Sequence, residues 1–150
     1  MFNIKRLSLA DAQKLIKGAK RKAKRIDVPM CIAVADESGN LIAFERMDGA
    51  KILSVGLSAD KAFTAAISKR PTHEYNEICQ PGNLANGIHT SSGGQFSIVG
   101  GGFPVVIRNT VVGAIGLSGG AVEQDMECAE AAVRGFLGAK AFDKRYCRTT

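Results

Sequence analysis

Two tight turns constrain this chain more than any other feature. Pro29-Met30-Cys31-Ile32-Ala33-Val34-Ala35 is a short apolar run that stops at Asp36-Glu37-Ser38-Gly39-Asn40, and Leu41-Ile42-Ala43-Phe44-Glu45-Arg46 follows at once. Farther on, Pro104-Val105-Val106-Ile107-Arg108 and Val111-Val112-Gly113-Ala114-Ile115-Gly116-Leu117 are separated only by Asn109-Thr110. A connection this short can only reverse a strand, because parallel neighbours need a crossover of roughly a dozen residues or more. Both pairs are therefore antiparallel, which excludes a doubly wound sheet. Phe96-Ser97-Ile98-Val99 reads as one more strand, making five.

Helical periodicity fills the rest. Residues 8–26 place Leu9, Ala12, Leu15, Ile16, Ala19, Ala23 and Ile26 on one face, and Ser8 with Asp11 makes a capping-box-like start. Residues 54–69 are apolar on most sides, which predicts a largely buried helix, and Arg70-Pro71 stops it. A short helix is expected over 72–79 and a last one over 122–138, with Glu123 and Asp125 in its first turn. The order α-ββ-α-(short α)-βββ-α describes an α+β fold, an α/β/α or two-layer sandwich. A chain of 150 residues makes one domain, 1–150, able to bury a sizeable core.

Charge is confined to one place. Residues 1–27 carry nine Lys/Arg against Asp11 and Asp27, whereas residues 28–150 carry eleven bases against twelve acids. The excess lies on the outer side of the first helix, where a solvated face is its simplest meaning. The helix has no aromatic for base stacking, and three of its seven apolar positions are alanine. Neither nucleic acid nor membrane is thus expected as a partner. Cys31, Cys79, Cys128 and Cys147 are scattered without a CxxC or CxxH pair, as expected of free thiols rather than zinc ligands. The first residues lack the apolar stretch of a signal peptide, and a cytoplasmic location is expected.

Several motifs invite chemistry. Gly116-Leu117-Ser118-Gly119-Gly120 matches a nucleophile elbow, but His73 and His89 both precede the serine, and the elbow fold supplies its base afterwards. Gly119-Gly120 precede a helix, yet Glu123 and Asp125 would repel a phosphate there. Gly100-Gly101-Gly102 serve either a sharp backbone bend or the wall of a ligand site. His73 and Glu77 lie four apart on a short helix and form a weak metal pair without an evident third ligand. His89, in a polar loop, is the better candidate for a haem axial ligand. Lys61 and Thr64 fall on the buried helix, and a buried lysine requires an acid such as Asp125 or an anionic ligand.

In order along the chain, Ile32-Ala33-Val34-Ala35-Asp36-Glu37-Ser38-Gly39-Asn40-Leu41, Phe44-Glu45-Arg46-Met47-Asp48-Gly49-Ala50, Asp60-Lys61-Ala62-Phe63-Thr64-Ala65-Ala66, Arg70-Pro71-Thr72, Gly100-Gly101-Gly102-Phe103-Pro104 and Val112-Gly113-Ala114-Ile115-Gly116-Leu117-Ser118-Gly119-Gly120 resemble the GlcG/HbpS family. That family includes the C-terminal domain of PduO-type corrinoid adenosyltransferases. The resemblance implies a profilin-like α/β/α sandwich with a five-stranded antiparallel sheet, homo-oligomers, and haem or iron binding in some members. Other members lie beside genes for glycolate or for cobalamin-dependent diol and glycerol breakdown. Some haem-binding members use an N-terminal histidine, whereas here no histidine precedes His73.

These readings converge on a cytoplasmic small-ligand-binding protein with haem as candidate ligand. Lys61, Thr64, Gly100, Gly101, Gly102 and Asp125 are expected to line one pocket. The alternative is an enzyme using Lys61 and Asp125 as an acid–base pair on a small carboxylate or aldehyde. An accessory role in a cobalamin enzyme system is a third reading.

Overall fold

The structure, a computed structural model, describes residues 1–138. Cys147 lies outside the described residues, while Cys31, Cys79 and Cys128 are free and buried. The elements run α1 (Leu9–Arg25), β1 (Cys31–Asp36), β2 (Leu41–Arg46), α2 (Leu53–Ser68), α3 (Glu74–Ile78), two single 3₁₀ turns (Ile88–Thr90 and Ser92–Gly94), β3 (Gly102–Ile107), β4 (Thr110–Ser118) and α4 (Val122–Leu137). Ser8 caps α1: its hydroxyl accepts from the Asp11 N–H at 3.2 Å, and the Asp11 carboxylate accepts from the Ser8 N–H at 3.1 Å.

The sheet is antiparallel in the order β2-β1-β4-β3. Its two faces differ in side-chain size. Ile32 and Val34 of β1, with Ile115 and Leu117 of β4, pack under α1 and α4 in the main core. Ala33, Ala35 and Ala114 face the other way and meet Ala62, Ala65 and Ala66 of α2. The result is three layers, with α1 and α4 on one side and α2 alone on the other. Small residues on the second face bring α2 down onto the sheet. A Cβ on Gly116 would overlap the Ser58 carbonyl and the Ala62 backbone nitrogen.

The sheet has four strands among the described residues, not five, because residues 96–99 do not join it. Side-chain hydroxyls satisfy their backbone instead. Thr64 Oγ1 accepts from the Ser97 N–H at 2.8 Å and donates to the Gln95 carbonyl at 3.2 Å. Thr72 Oγ1 donates to the Val99 carbonyl at 2.7 Å, and the Ser97 hydroxyl accepts from the Val99 N–H at 3.3 Å. An extended segment needs partners for its polar groups but not necessarily a strand. The outer edge of β3 is blunted in the same region. The Thr72 N–H donates to the Gly102 carbonyl at 3.0 Å, the Gly102 N–H donates to the Thr72 hydroxyl at 3.0 Å, and Pro104 has no N–H to offer.

Candidate functional site

Lys61 projects from α2 toward the end of β4 and the start of α4. Its Nζ donates to Asp125 Oδ2 at 2.8 Å and to the Leu117 carbonyl at 2.9 Å. Asp125 Oδ1 accepts from the Gly120 N–H at 3.1 Å. The two side chains are 0% and 4% exposed, so the expected pairing of Lys61 with Asp125 forms inside the protein. Burial pushes the Lys61 amine down from its ordinary pKa and the Asp125 carboxyl up, while their mutual attraction and hydrogen bonds oppose both shifts. The pair ties α2, β4 and α4 at one point.

The glycines close over this pair. Gly101 has φ +120°, a conformation that side chains rarely adopt, and a Cβ there would sit 2.7 Å from the Leu117 oxygen and 2.9 Å from Lys61 Nζ. A Cβ on Gly100 would fall 2.6 Å from Met126 Sδ, and one on Gly102 would overlap the Lys61 carbonyl oxygen. Of the two meanings open to these residues, bend and close packing are what the geometry displays. Lys61, Asp125 and Gly101 do meet, and they meet as packed interior. Thr64, one turn beyond Lys61, is 0% exposed and engaged with residues 95–97. An acid–base pair must reach solvent or substrate, and in this fold only Asp125 keeps a trace of exposure, at 4%. Ser118 is buried and donates to Ser54 Oγ at 3.0 Å, with no histidine at that bond.

The two histidines sit apart in character. His73 precedes α3, is half-buried with Nδ1 inside the protein, and packs against the Phe103 ring at 5.6 Å. Glu77 is exposed on α3, and among the described residues no group of three His, Cys, Asp or Glu is placed to hold a metal ion. His89 is exposed on the first 3₁₀ turn. Its neighbour Ile88, with Ala85 and Ile98, packs onto a small cluster of Tyr75, Cys79 and Phe96, which anchors the loop. Tyr75 and Phe96 meet edge to face at 4.9 Å.

Residues 7–134 match the family model described as "Haem degrading protein HbpS-like". The chain belongs to the HbpS-like family. One relative, the 15.0 kDa protein of the dhaT–dhaS intergenic region of Citrobacter freundii, is 39% identical over 127 residues, covering 85% of this chain and 89% of that one. The corrinoid adenosyltransferase PduO of Salmonella typhimurium is 34% identical over 127 residues, but the match spans only 38% of its length. Among solved structures, Klebsiella pneumoniae protein ORFY superposes with a TM-score of 0.89 at 35% identity, covering 95% of this chain and 97% of that one. A chain crystallised as a PduOC:heme complex superposes at 0.82 with 34% identity, covering 85% and 93%. Among the described residues no helix is long and apolar enough to cross a membrane.

The sequence gives no sign that Thr72 or Ser97 would hold distant backbone groups in place of a strand ladder. Thr72 was visible within Arg70-Pro71-Thr72, yet its partners lie 27 and 30 residues away. A buried hydroxyl that bridges two distant backbone groups leaves no local spacing signal.

Proposed function

We propose that this HbpS-like protein binds haem, with His89 as the axial ligand. When bound, haem would supply an iron centre whose reactivity depends on the protein around it. Kinship with a chain crystallised with haem supports the ligand class. The donor set supports the residue. The chain has two histidines, and His89 offers an exposed imidazole while His73 is turned against Phe103. Exposed Leu84 and partly exposed Ile78 lie on the same stretch and give apolar surface for a porphyrin edge. In this reading Thr64 holds the end of the His89 loop through Gln95 and Ser97, while Lys61, Asp125 and Gly100–Gly102 are packed interior that does not touch the ligand. A cytoplasmic homo-oligomer, accessory to glycolate or cobalamin-dependent diol and glycerol metabolism, is the setting that the family context suggests.

Haemin titration followed at the Soret band tests the proposal. Saturable binding with a ligation shift that His89→Ala removes and His73→Ala retains is expected. Absence of a saturable change, or an unaltered spectrum in His89→Ala, refutes it.

A further inference from the structure

The cations of α1 are not evenly neutralised. Lys20 bonds Glu45 of β2 at 2.6 Å, Lys22 bonds Glu127 at 2.5 Å, and Lys14 lies 3.7 Å from Asp11. Lys17, Arg21 and Lys24 are exposed and make no ion pair among the described residues. They are spaced i, i+4, i+7, so they line one side of the helix over about 10 Å. Like charges at this spacing repel and cost a helix stability. Lys24, in the last turn, complements the helix dipole, but Lys17 and Arg21 lie too far back for that benefit.

These three cations border an open hollow of about 490 Å³ between α1 and β2, completed by Gln13, Lys20 and Glu45. No apolar side chain is among those six residues, so the hollow suits a guest that is polar throughout and excludes a porphyrin or an acyl chain. Its lining carries four cations against one carboxylate, and that carboxylate is already held by Lys20. A single phosphate could engage only part of a 10 Å row, whereas a chain of phosphates can follow it. Arginine and lysine together suit phosphate oxygens, the first through its fork and the second as a point charge. On the other side of Lys17 and Arg21 lies a second hollow of about 320 Å³, bordered by Gly18, Ala132, Gly135 and Phe136.

We propose that the α1–β2 hollow binds a linear oligophosphate through Lys17, Arg21 and Lys24. The phosphates are either free or the tail of a nucleotide whose base would rest against Phe136. The site shares no residue with the haem proposal, so either can fail alone.

Calorimetric titration of the intact protein with inorganic tripolyphosphate tests this, with monophosphate, citrate and ATP as comparison ligands. One saturable site is expected, at least tenfold weaker for monophosphate and citrate, and weakened by added salt. Lys17→Ala/Arg21→Ala/Lys24→Ala should lose at least tenfold in affinity with an unchanged circular dichroism spectrum. Lys5→Ala/Lys51→Ala should bind as the parent does. Equal affinity for tripolyphosphate and ATP assigns free oligophosphate. Tighter ATP binding, lost in Phe136→Ala while tripolyphosphate binding persists, assigns the nucleotide. No saturable heat, or undiminished binding by the triple variant, overturns the proposal.

Discussion

Replacing Lys61 with methionine tests the ion pair at the junction of α2, β4 and α4. The substitution keeps an unbranched apolar stem of similar reach but removes the ammonium group. Two acceptors lose their donor: the Leu117 carbonyl at 2.9 Å and Asp125 Oδ2 at 2.8 Å. The Asp125 carboxylate, 4% exposed, would keep the Gly120 N–H but no cation. Breaking a buried pair from one side costs about 3–5 kcal/mol, because an uncompensated charge is left behind. The loss should also depend on pH. Without Lys61 the carboxyl, already raised by burial, rises further above its unfolded value. An acid raised in the folded state holds its proton more tightly there, so its stability contribution is full below the unfolded pKa. It is lost as pH rises through the folded pKa, with a limiting slope of about 1.4 kcal/mol per pH unit. Lys61→Met should therefore be closer to the parent at pH 5 than at pH 8. Adding Asp125→Asn, which keeps an acceptor for Gly120, should recover about half of the loss at pH 8. Urea unfolding by far-ultraviolet circular dichroism is the suitable assay, since the chain has no tryptophan. A loss below about 1 kcal/mol, or a loss equal at both pH values, would refute the reasoning.

Gly116→Ala should destabilise by about 1–3 kcal/mol or more, because its Cβ meets α2 backbone, while Gly56→Ala, which meets nothing within 4 Å, should stabilise by about 0.5–1 kcal/mol; chemical denaturation of the pair checks the contrast. Thr72→Val should cost about 2 kcal/mol, as the Val99 carbonyl and Gly102 N–H both lose their partner, and amide exchange at Gly102 should quicken. In a Cys147→Ser background, Ellman's reagent at pH 8 should find no reactive thiol until the protein unfolds. Cys31 and Cys128 are fully buried and Cys79 nearly so, and burial pushes the Cys128 thiol up to about 12. Glu37, held at a pKa of about 2 by the Arg6 guanidinium, lends stability that is present above its ordinary pKa of 4.5 and is lost as pH falls through 2. Since Arg6 is half exposed, Glu37→Gln should lower stability only slightly at pH 7, and that difference should shrink as pH falls to 2 and vanish below it.

The boundary between sequence and tertiary structure follows the range of the interactions. Each element that rests on neighbours in the chain was legible. The α1 cap needs only Ser8 and Asp11, and both hairpins need only their turns, whereas α2, apolar on most sides, is buried on one face alone: Val55 and Ile67 stay exposed while Ser58, Lys61 and Thr64 go inside with the alanines. Asp125 could be named as a partner for Lys61 because a lysine on a buried helix requires an acid or an anionic ligand, and folding supplied the acid. The fifth strand was misjudged for the opposite reason. Phe96-Ser97-Ile98-Val99 has strand composition, but hydroxyls of Thr64 and Thr72, 27 to 33 residues away, took backbone groups that a ladder would have used. Likewise, Gly100-Gly101-Gly102 marked an unusual backbone without saying what would approach it. Only folding brought Lys61, Leu117 and Met126 against those glycines and turned a potential ligand wall into packed interior. The excess charge of α1 was plain from composition, yet its hollow exists because β2 lies alongside. Local hydrogen bonding and periodicity are written in adjacent residues, whereas cavities and their closure depend on which distant surfaces come to rest together.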